Sequence, residues 1–130
     1  MLIVSRDANN KIIILAFAVV RAENARYWTW FLATFRAHAL YSNNPTVISD
    51  RHPGIISAVE EILGQHAHHV HCTWHIRCNM IKKAGVKFGK KAAKLFDLAS
   101  KALNKFDFDR HYSELRTESK SVVEYLENGG

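Results

Sequence analysis

Two apolar runs near the amino terminus predict an antiparallel hairpin. Residues 2–4 and 12–20 are rich in β-branched side chains, and Asp7-Ala8-Asn9-Asn10 lies between them. Asparagine tolerates the positive φ angles of tight hairpin turns, so we expect the two runs to pair across this turn. The second run is apolar at every position. An apolar run without alternation predicts a strand that is covered on both faces.

After the hairpin, apolar residues recur at helical spacing. Asn24 is a predicted N-cap, and Tyr27 and Trp30 lie partly off the main apolar face of the predicted helix. These two residues are candidates for a binding surface, although aromatic stripes at helical spacing usually belong to a core. The main face packs on the sheet and consists of Trp28, Phe31, Leu32, Phe35 and Ala39.

Residues 45–54 predict a short buried strand, a tight turn and the start of a helix. Val47 and Ile48 form the apolar part of the strand, and Asp50 stands where it ends. Pro53 suits a first helical turn, and the apolar spacing after it predicts a helix that ends before Gly64. Open α/β sheets hold ligands and metals at such strand ends. Alternatively, Asp50 only caps the helix.

A histidine-rich segment comes next, and it predicts another strand and another helix. Residues 66–75 contain five of the eight histidines. If this segment is extended, Val70, Cys72 and Trp74 share one face. The helix that follows is predicted from about His75 to Lys83.

Cys72-Thr-Trp-His75 is a Cys-x-x-His pair, which suits zinc. A structural zinc site needs four ligands, and His69 or His71 together with Cys78 would complete it. No second paired Cys or His motif stands at zinc-finger spacing, so zinc is the less favoured interpretation.

Residues 77–105 are strongly basic, with nine Lys or Arg and a single acid, Asp97. Gly85 and Gly89 are expected to divide this stretch into two helices. One side of the helical wheel is apolar, with Ile81, Phe88, Leu95, Ala99, Ala102 and Leu103. The other side carries Lys83, Lys87, Lys90, Lys91 and Lys94. These lysines form either an ordinary solvated face or a track for the DNA backbone.

The last stretch predicts a helix or a helical pair. It begins at Asp107-Phe-Asp109 and ends at Gly129-Gly130. Its apolar residues share one helical face and are Phe108, Tyr112, Leu115, Val122 and Leu126.

Composition narrows the function classes. The 130 residues are 48% hydrophobic, which is ordinary for one globular domain. No run approaches the roughly 20 apolar residues that span a bilayer, and no signal peptide is visible, so we expect an intracellular protein with reduced thiols. A net charge of +6 favours a polyanionic partner such as nucleic acid. A serine or cysteine hydrolase is not indicated, because the chain has no Gly-x-Ser-x-Gly elbow.

Five motifs in register resemble the catalytic domain of Mutator-like element (MULE) transposases. They are residues 15–24, residues 28–32, the stretch Val47-Ile-Ser-Asp-Arg-His-Pro-Gly54, Ala58-Val-Glu60, and His71-Cys-Thr-Trp-His75. The resemblance covers about residues 1–83, which we predict to be a partial core. Residues 84–130 resemble the helical segment that these transposases insert after the Cys-x-x-His, and the whole is predicted to be one domain.

The resemblance implies an α/β, ribonuclease-H-like mixed sheet and a DDE transposase. In such enzymes two Asp and one Glu hold two Mg²⁺ or Mn²⁺ ions for DNA cleavage and strand transfer. Asp50 matches the second Asp, as a catalytic and metal-binding residue. Cys72 and His75 match the family's Cys-x-x-His. The resemblance implies that this pair lies beside the active site and stabilises its structure without binding the catalytic metals. The implied partner is DNA, with a possible homo-oligomer, no membrane and no small-molecule substrate, and the implied location is nuclear.

The same resemblance predicts that this chain is catalytically incomplete, as a domain truncated at both ends. The family's first Asp lies on a strand before the hairpin, and its Glu follows the inserted segment. That strand would lie between the hairpin and the Asp50 strand, so its loss leaves two unpaired edges. Asp7 is not at a catalytic position of the family. Charged helix faces explain the remaining candidates, which are Glu114, Glu118 and Glu124.

Two other functions stay open from the sequence. One is a domesticated, non-catalytic DNA-binding or regulatory protein derived from a transposase, which would use the lysine face. The other is a zinc-binding module built on Cys72 and His75.

Overall fold

A computed structural model of the chain describes residues 1–39, 44–83 and 89–128, without the side chain of Lys83. The residue contacts divide the chain into two compact units, Met1–Cys72 and Thr73–Gly130. The sequence-based boundary between residues 83 and 84 stays a prediction. None of the helices in the described ranges is long and apolar enough to cross a membrane.

The first unit begins with the predicted hairpin, so that prediction is confirmed. Strand β1 (Leu2–Arg6) pairs antiparallel with β2 (Ile12–Phe17). Asn10 has a φ of 64°, as the turn requires, and the Asp7 carboxylate accepts the N–H groups of Asn9 and Lys11 at 2.9 and 2.8 Å. The second strand ends at Phe17, before the predicted end at residue 20.

Helix α1 (Ala25–His38) starts at the predicted cap. The side chain of Asn24 accepts the N–H of Tyr27 at 3.1 Å. Trp28, Phe31 and Leu32 are buried as expected. Trp30 is 53% exposed, in keeping with its predicted place off the main face.

A parallel β–α–β segment completes the first unit. Strand β3 (Thr46–Ser49) leads into helix α2 (Pro53–Ile62), and a 3₁₀ turn over Gly64–His66 leads into β4 (His68–His71). The two strands are in register from Thr46 opposite His68 to Ser49 opposite His71. Gly64 has a φ of +47°, a left-handed conformation that glycine adopts without strain, so it ends the helix as predicted.

Both pairs of strands lie on one layer of helices. Helices α1 and α2 form the buried core of this unit, and Ile3, Ala16 and Val47 pack against that core from the two sheets. The buried residues are Trp28, Phe31, Leu32, Ile55, Ala58, Val59 and Leu63.

The prediction that the second strand is covered on both faces is wrong. Ile12, Ile14 and Phe17 are 67%, 62% and 75% exposed. The core of this unit lies on the side to which Ile3 and Ala16 point, and the opposite side of the hairpin has no layer against it in the described residues. The hairpin and the β3–β4 pair also form two separate two-stranded sheets.

The second unit is helical. It contains α3 (Thr73–Lys83), α4 (Lys90–Ser100), α5 (Lys105–Glu118) and α6 (Lys120–Glu127). The predicted helical pair at the end of the chain is therefore confirmed. Its buried core consists of Met80, Ala92, Leu95, Phe96, Leu115, Val122 and Val123.

Two details of the helical prediction are wrong. Trp74 was expected on a strand but lies in α3, because β3 ends at Ser49 and offers no partner beyond Cys72. Ile81 and Leu103 were placed on the apolar face but are 49% and 99% exposed. Leu103 follows the end of α4 at Ser100, so it does not continue that helix's face. The predicted residues Gly85, Lys87 and Phe88 lie outside the described ranges.

Candidate functional site

Asp50 lies directly after β3, at the carboxyl edge of the parallel β3–β4 pair. One of its carboxylate oxygens accepts the backbone N–H of His52 at 3.0 Å. Its side chain is only partly buried. The carboxylate therefore braces the turn between strand and helix while its remaining lone pairs stay available to a ligand.

The helix cap itself is His52, so the alternative that Asp50 caps α2 is wrong. The Nδ1 atom of His52 accepts the N–H of Gly54 at 3.2 Å, and Pro53 occupies the first turn. A Cβ atom at Gly54 would lie 2.8 Å from the backbone nitrogen of Ala25. The His-Pro-Gly sequence thus caps one helix and lets its start pack against the start of α1.

Ser49, which precedes Asp50, is hydrogen-bonded to His69, and the ring of His69 in turn contacts the ring of His71. The Ser49 hydroxyl donates its only proton to the carbonyl oxygen of Asp50 at 2.7 Å. The Nε2 atom of His69 lies 2.8 Å from the same hydroxyl oxygen. When the hydroxyl proton is donated to Asp50, Nε2 of His69 is the donor of the second contact, and Nδ1 of the neutral ring is then unprotonated.

The neutral form of His69 is favoured. Burial lowers the pKa of His69 below the usual 6.5, and the nearby charge of His71 lowers this pKa further. The two rings make an edge-to-face contact with centroids 5.2 Å apart. Histidines two apart on a strand share a face, and this spacing in the sequence is the signal from which the contact could have been predicted.

Cys72 and His75 are held by different elements. The backbone N–H of Cys72 donates to the carbonyl of Ser49 at 2.7 Å, which extends the β3–β4 ladder by one bond. Its thiol is free and partly buried. His75 lies in the first turn of α3, in the second unit, and is exposed.

Within residues 1–39, 44–83 and 89–128, no group of three or more His, Cys, Asp or Glu side chains is arranged to hold a metal ion. The four-ligand zinc site considered from the sequence is therefore not assembled there. Within neither unit do the described carboxylates come together as the two-metal centre that the resemblance implies. Glu118 is paired with Lys91, at 2.7 Å, while Glu114 and Glu124 are exposed on α5 and α6.

Three of the five predicted lysines can be placed in detail. Lys90, Lys91 and Lys94 are exposed on α4, opposite its buried Ala92, Leu95 and Phe96. The ion pair with Glu118 raises the pKa of Lys91. Lys83 is the last residue of α3, but the structure does not describe its side chain. Lys87 lies outside the described residues.

The sequence also matches a known family. The model of the family described as the MULE transposase domain matches residues 1–79, which is more than half of the chain. This matched segment contains Asp50, Cys72 and His75. No curated protein and no solved structure matches the chain.

Proposed function

Because this chain belongs to the MULE transposase domain family, we propose that it is a transposase-derived protein that binds DNA but does not cleave it by itself. Transposase domains act on DNA, so the family implies interaction with DNA. The observation that carries the second half of the proposal is the isolation of Asp50. No metal-binding group of three or more His, Cys, Asp or Glu side chains surrounds it in the described parts of the chain.

The proposed fold of the first unit is the ribonuclease-H-like mixed sheet. The order of hairpin, helix, strand, helix and strand supports this proposal, as does the parallel pairing of β3 with β4. The two sheets rest on one helix layer, and among the described strands they are not paired with each other. A strand that paired with the free edges of β1 and β3 would join them into one sheet.

Asp50 is the proposed remnant of the catalytic centre. In the family's chemistry, carboxylates hold divalent ions that activate the attacking oxygen. A single carboxylate binds such an ion weakly, because Mg²⁺ gives up its waters reluctantly and is usually held by carboxylates together with the phosphates of a substrate. In this chain Asp50 would therefore serve mainly to fix the turn through His52.

The test of catalysis is a plasmid-nicking assay with Mg²⁺ or Mn²⁺, using the chain and its Asp50→Asn variant. We expect both proteins to leave supercoiled plasmid intact at rates indistinguishable from buffer. Metal-dependent nicking that disappears in Asp50→Asn would overturn the proposed lack of cleavage.

The proposed DNA-binding surface is the lysine face of α4. Its exposed ammonium groups project from a helix whose other side is buried, so they can contact phosphates without disturbing the core. Neutralised phosphates release counterions, which makes such binding weaken steeply with salt. The lysines of α4 in this surface are Lys90, Lys91 and Lys94. The sequence adds Lys83 and Lys87 as further proposed contacts outside this helix.

Charge reversal tests this surface. We expect Lys90→Glu/Lys94→Glu to weaken binding to duplex DNA and to reduce the salt slope of log K by roughly 0.9 for each lost phosphate contact. The double variant Lys11→Glu/Lys120→Glu changes the net charge equally and is the control. Equal losses in both variants would mean that only the overall charge matters, against a defined surface.

The zinc-binding module remains the second candidate. It is the less favoured candidate, because the described parts of the chain do not assemble the four ligands that a structural zinc site needs. Elemental analysis of the purified chain tests it, and we expect less than stoichiometric zinc.

A further inference from the structure

A shallow cavity lies where the chain leaves the hairpin and enters α1. Its volume is about 430 Å³, within the range of roughly 300–1,000 Å³ that is typical of small-molecule sites. The lining combines two cations with two polarisable rings and contains no acid. The lining residues are Val19, Val20, Arg21, Arg26, Tyr27 and Trp30.

The side chain of Trp30 is exposed to solvent at the edge of the cavity. Its ring is supported by Phe31, with ring centroids 6.4 Å apart, while 53% of the residue stays exposed. An aromatic ring that is held on its own helix and open to solvent is a platform on which a flat ligand can stack.

The charge around the cavity suits an anion. Arg21 and Arg26 are exposed, and guanidinium groups bind phosphate through paired hydrogen bonds. The nearest acid in sequence, Glu23, does not line the cavity, and its carboxylate accepts the indole N–H of Trp28 at 3.1 Å. The cavity thus offers stacking surfaces and phosphate donors together, which is the combination that proteins use for single-stranded nucleic acid.

The first turn of α1, which contributes to the cavity, packs against the start of α2. Arg26 and Tyr27 follow Ala25, the residue whose backbone packs against Gly54 at the start of α2. The first turn of α1 is therefore fixed against the segment that connects Asp50 to its helix.

From this geometry we infer that the Arg21–Trp30 cavity binds a nucleotide of single-stranded DNA, with the base stacked on Trp30 and a phosphate on Arg21 and Arg26. This inference rests on the proposed DNA-binding function. It adds to the lysine face a second DNA contact, which differs because it prefers unpaired bases. The lysine face contacts phosphates only, so it does not distinguish paired from unpaired strands in this way.

The test measures the affinity of the full chain for labelled oligothymidine and for a duplex of equal length by fluorescence anisotropy. Stacking of one base predicts that Trp30→Ala weakens oligothymidine binding by roughly five- to a hundredfold. Trp30→Phe retains a ring and should keep most of the affinity. Phe106→Ala, which removes an aromatic residue that is 75% exposed on α5, is the control and should bind as the unaltered chain does.

The arginines are tested by salt titration. Arg26→Ala should reduce the salt slope for oligothymidine by roughly 0.7, the value for one single-strand phosphate contact. Arg6→Ala, an exposed arginine of the hairpin, should leave the slope unchanged. Circular dichroism spectra that match the unaltered chain show that each variant is folded.

The outcomes separate this inference from the proposed function. Unchanged oligothymidine affinity in Trp30→Ala, with duplex binding still lost in Lys90→Glu/Lys94→Glu, overturns the cavity and leaves the lysine face in place. Equal losses in Trp30→Ala and Phe106→Ala also overturn it. A chain that binds neither nucleic acid contradicts both proposals.

Discussion

At Gly54, two helices of the first unit approach so closely that no side chain fits between them. A Cβ atom would lie 2.8 Å from the nitrogen and 3.1 Å from the Cα of Ala25. Both neighbours are backbone atoms, which cannot move aside as a flexible side chain can. This contact gives the final glycine of the Asp-Arg-His-Pro-Gly sequence a physical role independent of catalysis.

We therefore predict that Gly54→Ala lowers the free energy of unfolding of the first unit by about 1–3 kcal/mol, as overpacking in a core typically does. Urea denaturation followed by tryptophan fluorescence measures the change. Ser57→Ala, an exposed position on the same helix, should stay within about 0.5 kcal/mol. An equal effect of the two substitutions would show that the close approach does not limit stability.

At the scale of elements, local signals specify where α1 and α2 begin. Asn24 caps α1 through the N–H of Tyr27, and His52 caps α2 through the N–H of Gly54. Each cap satisfies a backbone donor that the helix itself leaves free. The two helices then bury their apolar faces against each other and against both sheets.

Removing the Asn24 cap should destabilise α1 without changing its core contacts. We predict that Asn24→Ala costs about 0.5–2 kcal/mol of stability, measured by denaturation followed by far-ultraviolet circular dichroism. Asn24→Ser retains a side-chain acceptor and should recover most of this loss. If Asn24→Ser were as unstable as Asn24→Ala, the side-chain hydrogen bond would not be the cause.

At the scale of the whole molecule, the first unit exposes an apolar sheet face. Leu2, Val4, Ile14 and Phe17 alternate with the partly buried Ile3 and Ala16, and all four are exposed. In the second sheet, Ile48 of β3 is also exposed, at 67%. Contiguous apolar patches on a protein surface favour association, and unpaired strand edges add to the tendency.

We accordingly predict that the chain self-associates through this face as its concentration rises. Light scattering coupled to size-exclusion chromatography measures the mass across a dilution series. Ile14→Lys/Phe17→Lys should shift the population toward the monomer, because burying two ammonium groups opposes contact. Leu103→Lys changes a residue that is 99% exposed in the second unit and should have no such effect. A monomer at all concentrations would contradict the prediction.

Much of the local structure follows from the sequence by itself, because it depends on interactions between residues close in the chain. Three local features were predictable for this reason: the turn at Asn10, the cap at Asn24 and the helix end at Gly64. The helical spacing of Trp28, Phe31 and Leu32 likewise predicted that they are buried together. The five motifs likewise indicated the MULE family, which the match over residues 1–79 confirms.

Tertiary structure alone decided which apolar residues are covered and which polar groups meet. The sequence marks residues 12–20 as apolar, but coverage depends on whether a second layer exists, and the described residues supply helices on one side only. Ser49 and His69 are 20 residues apart in the chain, and the parallel register of β3 and β4 brings their side chains together. The cavity at Trp30 likewise depends on where α1 begins against the end of the hairpin. Such long-range geometry has no signal in local spacing, so it emerges only when the chain is folded.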